Sequence, residues 1–349
     1  MFSKQLLKWY EQYGRYDLPW QKNPTAYRVW ISEIMLQQTQ VTTVIPYYER
    51  FMKRFPTIKK LATATEDDVL LHWSGLGYYA RARNIYKTAK IITEQYHGHF
   101  PETVDTISEL PGIGKSTAGA IISFAYQKKA VILDGNVKRV LARYFAIESP
   151  INQKDTIEKM WACAEKLTPR QNAHHYNQAI MDLGATLCTR TKPRCAECPF
   201  IKTCQAHQQQ KPTFYPIKTV KKSRPLKKIR MLIIYKNKNE ILLLKRPASG
   251  IWGGLWSFPE KSEGGSGSNP SEEIFQIAQI PLQLKLINTL PTITHQFTHF
   301  TLEISPIIFR VKNQMLLKKL NTNEFFWYKL STKLPGGVAA PVKNILDAL

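Results

Sequence analysis

Apolar residues recur with helical spacing through Tyr27–Phe51, Asp67–Leu71, Ala80–Gln95, Ser116–Ala125 and Asn136–Phe145. Strong breakers separate these runs: Phe55-Pro56, Gly75-Leu76-Gly77, Gly98 with Pro101, and Pro111-Gly112. The pattern predicts an all-α domain over residues 1–207. Then the texture changes. Gln208–Gln210, Pro212 and Pro216 lead into the lysine- and arginine-rich run Lys218–Arg230. Residues 208–228 read as a basic interdomain connector that could also lie against phosphates. From about residue 229 short β-rich runs take over. Ile229–Tyr235 and Glu240–Leu244 flank the turn-like Lys236-Asn237-Lys238-Asn239, and Leu284–Leu290, Phe300–Phe309 and Glu324–Tyr328 follow. Gly264–Ser268 reads as a flexible loop. The second domain, 229–349, is therefore expected to be α+β, and no internal repeat is visible.

Composition agrees with two domains in 349 residues, and a hydrophobic content of 43% is ample for real cores. No run of 18 apolar residues exists, so no membrane span is expected. Charge changes the picture more. Lys and Arg number 49 against 26 Asp and Glu, a formal net charge of +23. Such an imbalance favours a polyanionic partner and steep salt dependence, without telling DNA from RNA. The bland alternative is a basic protein with no nucleic-acid role.

Four of the five cysteines, Cys188, Cys195, Cys198 and Cys204, fall within 188–204 with the spacing C-x6-C-x2-C-x5-C. Four thiolates on one short stretch can close around one metal centre. A four-cysteine zinc site usually pairs two short knuckles across a longer gap, and only one short pair exists here. A [4Fe-4S] cluster also takes four thiolates and tolerates wider arcs. Two disulfides are the third possibility. No apolar signal stretch stands at the N-terminus, Cys163 is alone, and a cytoplasmic chain keeps its thiols reduced. Pro193 and Pro199 stiffen the loop.

Three strings carry candidate chemistry. Leu110-Pro111-Gly112-Ile113-Gly114-Lys115-Ser116 precedes an apolar helix. Gly112 and Gly114 let backbone N–H groups face outward at a helix start, an arrangement that binds phosphate. The spacing is not that of a P-loop. With the whole string it reads as a helix–hairpin–helix element gripping DNA backbone without reading sequence. Next, the apolar run Ala130–Leu133 delivers Asp134 to the start of a helix. Asp134 could be a plain N-cap; N–H donors and the helix dipole should also keep it ionised. Finally, Glu33 sits inside the nearly all-apolar Val29–Leu36. Unless helical rotation turns it to solvent, its pKa should rise, as suits a general acid. Two carboxylates in divergent environments form the pair used to break glycosidic bonds.

Together these strings resemble the endonuclease III superfamily of helix–hairpin–helix DNA glycosylases. Leu18-Pro19-Trp20, Gly75–Arg83, the hairpin, Leu133–Val140, Asn177-Gln178-Ala179 and the cysteine arc all match. Glu33 within Trp30–Gln40, together with the second domain, resembles the MutY branch, adenine DNA glycosylases acting on adenine opposite 8-oxoguanine. The resemblance implies that the arc holds a [4Fe-4S] cluster rather than zinc. It implies Glu33 as the acid that protonates adenine and Asp134 as stabiliser of the oxocarbenium ion or as a transient nucleophile. Asn136 and Ser116 would hold groups around the sugar, and Gly112 and Gly114 the DNA backbone. Gln37 and Tyr78 would enter the base stack, Tyr78 as a wedge, and Gln178 would meet the extruded base. Bifunctional relatives carry lysine where Ser116 stands, and serine cannot form an imine. A monofunctional enzyme leaving an abasic site is therefore expected. Lys115 is one position off and should point elsewhere; Lys138 is read as a phosphate or structural lysine. The implied partner is duplex DNA with A:8-oxoguanine or A:G mispairs, bound by a monomer on cytoplasmic, nucleoid-associated DNA.

Gly250–Pro259 resembles the start of the Nudix-like domain found in that branch. A working Nudix hydrolase needs the glutamate-rich helix R-E-x2-E-E. Glu263, Glu272 and Glu273 do not form it. The domain is expected to recognise 8-oxoguanine through His295–His299, with Phe297, Thr298 and His299 as contacts. Thr298 stands where the family usually has serine. Three competing readings remain: a related glycosylase for thymine or oxidised pyrimidines, a non-catalytic metal-stabilised DNA binder, and a nucleotide hydrolase with a DNA-binding appendage.

Overall fold

The structure is a computed structural model that describes residues 2–218, 223–262, 272–277, 280–313 and 324–349. It divides into two compact units. The first is Met1–Thr63 with Asn84–Lys221, the second Ala64–Arg83 with Lys222–Leu349. The short stretch 64–83 thus packs with the C-terminal part of the chain.

The helices run in order α1 Phe2–Tyr13, α2 Ala26–Leu36, α3 Val41–Arg54, α4 Ile58–Ala62, α5 Glu66–Trp73 and α6 Ala80–Gln95. Then come α7 Val104–Ser108, α8 Lys115–Tyr126, α9 Gly135–Tyr144, α10 Lys154–Leu167, α11 Ala173–Asp182 and α12 Gln205–Gln208. Of these, α5 and the start of α6 belong to the second unit. The single apolar run Tyr27–Phe51 is in fact two helices. The chain breaks at Gln37–Gln40, where Gln38 takes a left-handed φ of 59°. Apolar spacing continued across the break because both helices bury a face.

Tyr27, Val29, Trp30, Ile31, Ile34 and Met35 of α2 are all buried. Its partner α8 is equally buried; on it Gly119 leaves room for the Val131 backbone, in the run that leads to Asp134. Around α9, Leu6, Leu133, Val137, Leu141, Tyr176, Ile180 and Leu183 form one apolar core. Burying such side chains stabilises by about 1.5–3 kcal/mol each. These two packed layers fix where α2 and the start of α9 sit.

The second unit holds a mixed sheet. Its strands are β1 Leu226–Tyr235, β2 Glu240–Lys245, β3 Trp256–Ser257, β4 Glu260–Ser262, β5 Glu272–Ile277, β6 Ile280–Thr289, β7 Ile293–Gln296, β8 Thr301–Val311 and β9 Phe325–Lys329, and α13 Ala340–Ala348 follows. The order along the main path is β3-β2-β1-β8-β6-β5. β1 and β8 are parallel in register from Leu226↔Thr301 to Tyr235↔Arg310. The turn Lys236–Asn239 closes the β1–β2 hairpin. Its Asn237 Oδ1 accepts from the N–H groups of Asn239 and Glu240 at 2.9 and 3.0 Å. Leu232, Ile234, Leu242, Leu282, Leu284 and Phe309 form the core of this unit. The expected loop Gly264–Ser268 and Glu263 lie outside the described residues. Glu273 stands on strand β5, paired with Lys261 and 3.7 Å from Arg230. No helix among the described residues is long and apolar enough to cross a membrane.

Candidate active site

In the first unit a cavity of about 770 Å³ opens between α2, the start of α9, and α11. Glu33 and Asp134 both line it. Ile31, Ile34 and Met35 anchor the buried faces of α2. That packing leaves Glu33 half-buried and turned to the cavity rather than to bulk water. Burial, and then the charge of Asp134, push its pKa up to about 8. The acid is therefore mostly protonated at neutral pH.

Asp134 is the N-cap of α9. Its Oδ1 accepts from the Val137 N–H at 2.7 Å and its Oδ2 from Asn136 Nδ2 at 3.2 Å. The capping role and the place in the cavity thus coexist in one residue. The expectation that these donors would dominate its ionisation needs correcting. Burial outweighs the donors and Arg139, so its pKa is raised, not lowered. Charge on Asp134 adds to burial in raising Glu33.

Asn136 and Gln178 also line the cavity. Ser116 stands one layer behind, where its hydroxyl accepts from the Leu133 N–H at 3.0 Å and braces the run leading into Asp134. Lys115 points elsewhere, with its Nζ 4.7 Å from the Trp161 ring centre. Gly112, with φ of 77°, turns the hairpin between α7 and α8, and Gly114 caps α8 with no side chain over its free N–H groups. Gln37 ends α2. Gly112, Gly114, Gln37 and Lys138 do not line the cavity.

Sequence reasoning missed several residues. Asp182 is fully buried and accepts three hydrogen bonds from Arg15: from the backbone N–H at 2.8 Å, Nε at 3.0 Å and Nη2 at 2.6 Å. Gln178 Nε2 donates to the same carboxylate at 2.9 Å. One buried carboxylate therefore holds two cavity-lining side chains. The signal that picked out Glu33, a lone carboxylate in an apolar run, also exists in Ile180-Met181-Asp182-Leu183. Arg139 donates to Asn136 Oδ1 at 2.7 Å and to the carbonyls of Gly184 at 2.6 Å and Cys188 at 2.8 Å.

Cys188, Cys195, Cys198 and Cys204 line one small cavity of about 30 Å³. Before it, Leu183–Leu187 widens into a π-helical turn that ends at Cys188. All five cysteines of the chain are free thiols. No group of three or more His, Cys, Asp or Glu among the described residues closes on a single metal-ion position. Burial pushes up the thiols of Cys195, Cys198 and Cys204, Cys198 to about 12, so a bound metal is what would hold them as thiolates. Arg143, itself buried, approaches Cys188 Sγ at 3.2 Å and ties the carbonyls of Thr189, Arg190 and Tyr215. Donor set, shape and neighbouring cation suit an anionic sulfur-ligated centre.

In the second unit, Phe297 stacks on Phe300 at 4.5 Å and packs near Trp252 and His295. Thr298 and His299 are exposed at the tip of the β7–β8 hairpin, closed by Phe297 N–H to the Phe300 carbonyl at 2.9 Å. Tyr78 is 48% exposed, in the same unit.

A family model described as HhH-GPD superfamily base excision DNA repair protein matches residues 31–166, and one for the NUDIX domain matches 230–348. An adenine DNA glycosylase from Buchnera aphidicola subsp. Acyrthosiphon pisum is 43% identical, covering 99% of this chain and 97% of its own. An adenine DNA glycosylase from Rattus norvegicus is 34% identical, covering 86% and 69%. Among solved structures, a thermostable thymine-DNA glycosylase superposes with a TM-score of 0.55 at 28% identity, covering 60% of this chain and 95% of that one. A non-covalent endonuclease III–DNA complex gives 0.52 at 20% identity over 60% and 94%, a likeness of fold alone.

Proposed function

Because this chain belongs to the adenine DNA glycosylase family, we propose that it removes adenine mispaired with 8-oxoguanine or guanine and leaves an abasic site. Its action on DNA by glycosidic cleavage follows from the family. The finer reading rests on one observation: two carboxylates share the cavity, and Glu33 is pushed up to about 8, so that it carries a proton at neutral pH.

Glu33 donates its proton to the ring of the extruded adenine, which turns the base into a leaving group. The C1′–N bond then breaks and positive charge develops on the sugar. Asp134, held by the Val137 N–H and Asn136, stabilises that charge. Water completes the substitution. Gln178 and Arg15, both fixed by Asp182, form the wall beside the base. Ser116 offers no amine for an imine, so strand cleavage is not expected. The hairpin at Gly112 and Gly114 and the side chain of Lys138 meet phosphates. Gln37 and Tyr78 enter the stack, and Phe297, Thr298 and His299 read the oxidised base.

The four cysteines would hold a [4Fe-4S] cluster, which supplies a structural anchor for residues 188–204 and a potential electron-transfer centre. Iron and acid-labile sulfide in equal amounts would support it; one zinc per chain would replace it.

The decisive assay is single-turnover cleavage of duplexes carrying A:8-oxoguanine, A:G, A:T or thymine glycol:A, with and without alkali. Breaks at adenine opposite 8-oxoguanine only after alkali are expected. Breaks without alkali, or at thymine glycol, would overturn the monofunctional adenine reading.

A further inference from the structure

Tyr78 sits in a constrained loop. Gly75, Gly77 and Tyr78 take φ values of 94°, 76° and 49°. A tyrosine in the left-handed region carries a steric cost, so neighbouring contacts must hold it. Some are local: Trp73 Nε1 donates to the Gly77 carbonyl at 3.0 Å, and Arg81 Nη2 to the same oxygen at 3.2 Å. Others come from far along the chain, inside the same unit. The Ser74 hydroxyl donates to the Val338 carbonyl and accepts from the Val338 N–H, both at 3.1 Å. Tyr79 donates to that carbonyl at 3.1 Å and accepts from the Gly75 N–H at 3.2 Å.

The approach of this segment is built for contact. A Cβ on Gly337 would lie 2.6 Å from the Leu70 carbonyl oxygen, and one on Gly336 2.7 Å from Asp67 Oδ1. Trp256 N–H donates to the Gly337 carbonyl at 2.9 Å. Trp256 ends the loop that carries Trp252, whose ring packs with His295 and Phe297. Arg83 donates to Gly253 in that same loop. A continuous set of contacts therefore runs from the Trp252–Phe297 cluster through Trp256, Gly337 and Val338 to Ser74, Tyr79 and Tyr78.

We propose that Gly336-Gly337-Val338 is a strut that positions Tyr78, making the wedge loop one body with the aromatic cluster that meets the oxidised base. Ser74, Gly337 and Tyr79 are its positioning residues. This rests on the reading of Tyr78 as a wedge and of 295–299 as the base reader. The strut would couple what is read opposite the adenine to where the wedge enters.

The test compares Ser74→Ala, Ser74→Thr, Gly337→Ala and Tyr78→Ser in the full chain. Each is assayed on A:8-oxoguanine and A:G duplexes with a fluorescent base analogue beside the oxidised base. Ser74→Ala removes the two hydrogen bonds between Ser74 and Val338, and should cut the preference for 8-oxoguanine about tenfold. It should also reduce the fluorescence change on binding. Ser74→Thr keeps the hydroxyl and should restore both, which a general loss of folding would not allow. Gly337→Ala should act as Ser74→Ala does. If Tyr78→Ser changes nothing, the wedge reading fails and the strut's role with it. If Tyr78→Ser acts but Ser74→Ala and Gly337→Ala do not, the wedge stands and the strut is refuted.

Discussion

At the scale of single residues, the chemistry turns on which carboxylate keeps a proton. Glu33 is raised to about 8 by burial and by Asp134. Single-turnover rates should therefore fall as pH rises through about 8, and a pH–rate profile checks this. The same shift affects stability with a definite sign. The folded state holds the Glu33 proton more tightly than the unfolded chain does. The stabilisation this gives is complete below the unfolded pKa near 4.5 and is lost as pH rises through about 8. Glu33→Gln has no such loss. Relative to wild type it should gain roughly 1.4 kcal/mol for each pH unit across that window, seen by urea melts, while turnover disappears and mispair binding remains. Unchanged turnover in this variant would rule out Glu33 as the acid. Asp182→Asn should cost on the order of 3 kcal/mol, less to the extent that Arg15 reaches solvent, and should slow cleavage by loosening Arg15 and Gln178. Glu33, Asp134 and the four cysteines stand out in the sequence because each breaks a local pattern, and the structure brings the two carboxylates to one cavity and the cysteines to another. Arg15 was not, since its partner Asp182 lies 167 residues away and no local period records it.

At the scale of elements, short breaks do the positioning. The interruption at Gln37–Gln40 lets α2 point Glu33 into the cavity while α3 packs separately. Periodicity could not find it, because helix ends without a glycine or proline signal leave the apolar spacing intact. The π-helical turn at Leu183–Leu187 was equally invisible, since it adds one residue to a turn without changing composition. The hairpin was visible, because left-handed turns favour glycine. Gly112→Ala should therefore be costly: its φ is 77° and the new Cβ would meet Asn84 Cβ at 2.7 Å. A loss of about 1–3 kcal/mol in thermal unfolding is expected, with weaker DNA binding for every sequence alike. Weakening confined to mispaired duplexes would assign the hairpin to recognition instead of grip.

At the scale of the whole molecule, a net charge of +23 meets a polyanion. The logarithm of affinity should fall linearly with the logarithm of salt, by roughly 0.9 per phosphate contacted. Fluorescence anisotropy across a salt series measures it; a flat response would mean the charge is not used for DNA. The two-part organisation was readable from the change of hydrophobic period near residue 208. The membership of residues 64–83 in the second unit was not, because chain order assigns them to the helical stretch around them. That membership has a consequence during synthesis. Ser74 and Val338 are separated by 264 residues, so at roughly 5–20 residues per second the ribosome needs some tens of seconds to deliver one to the other. Until then the loop bearing Tyr78 has emerged without its distant partner. Nascent chains stalled before residue 338 should be cut by protease within 64–83, and released full-length chains should not.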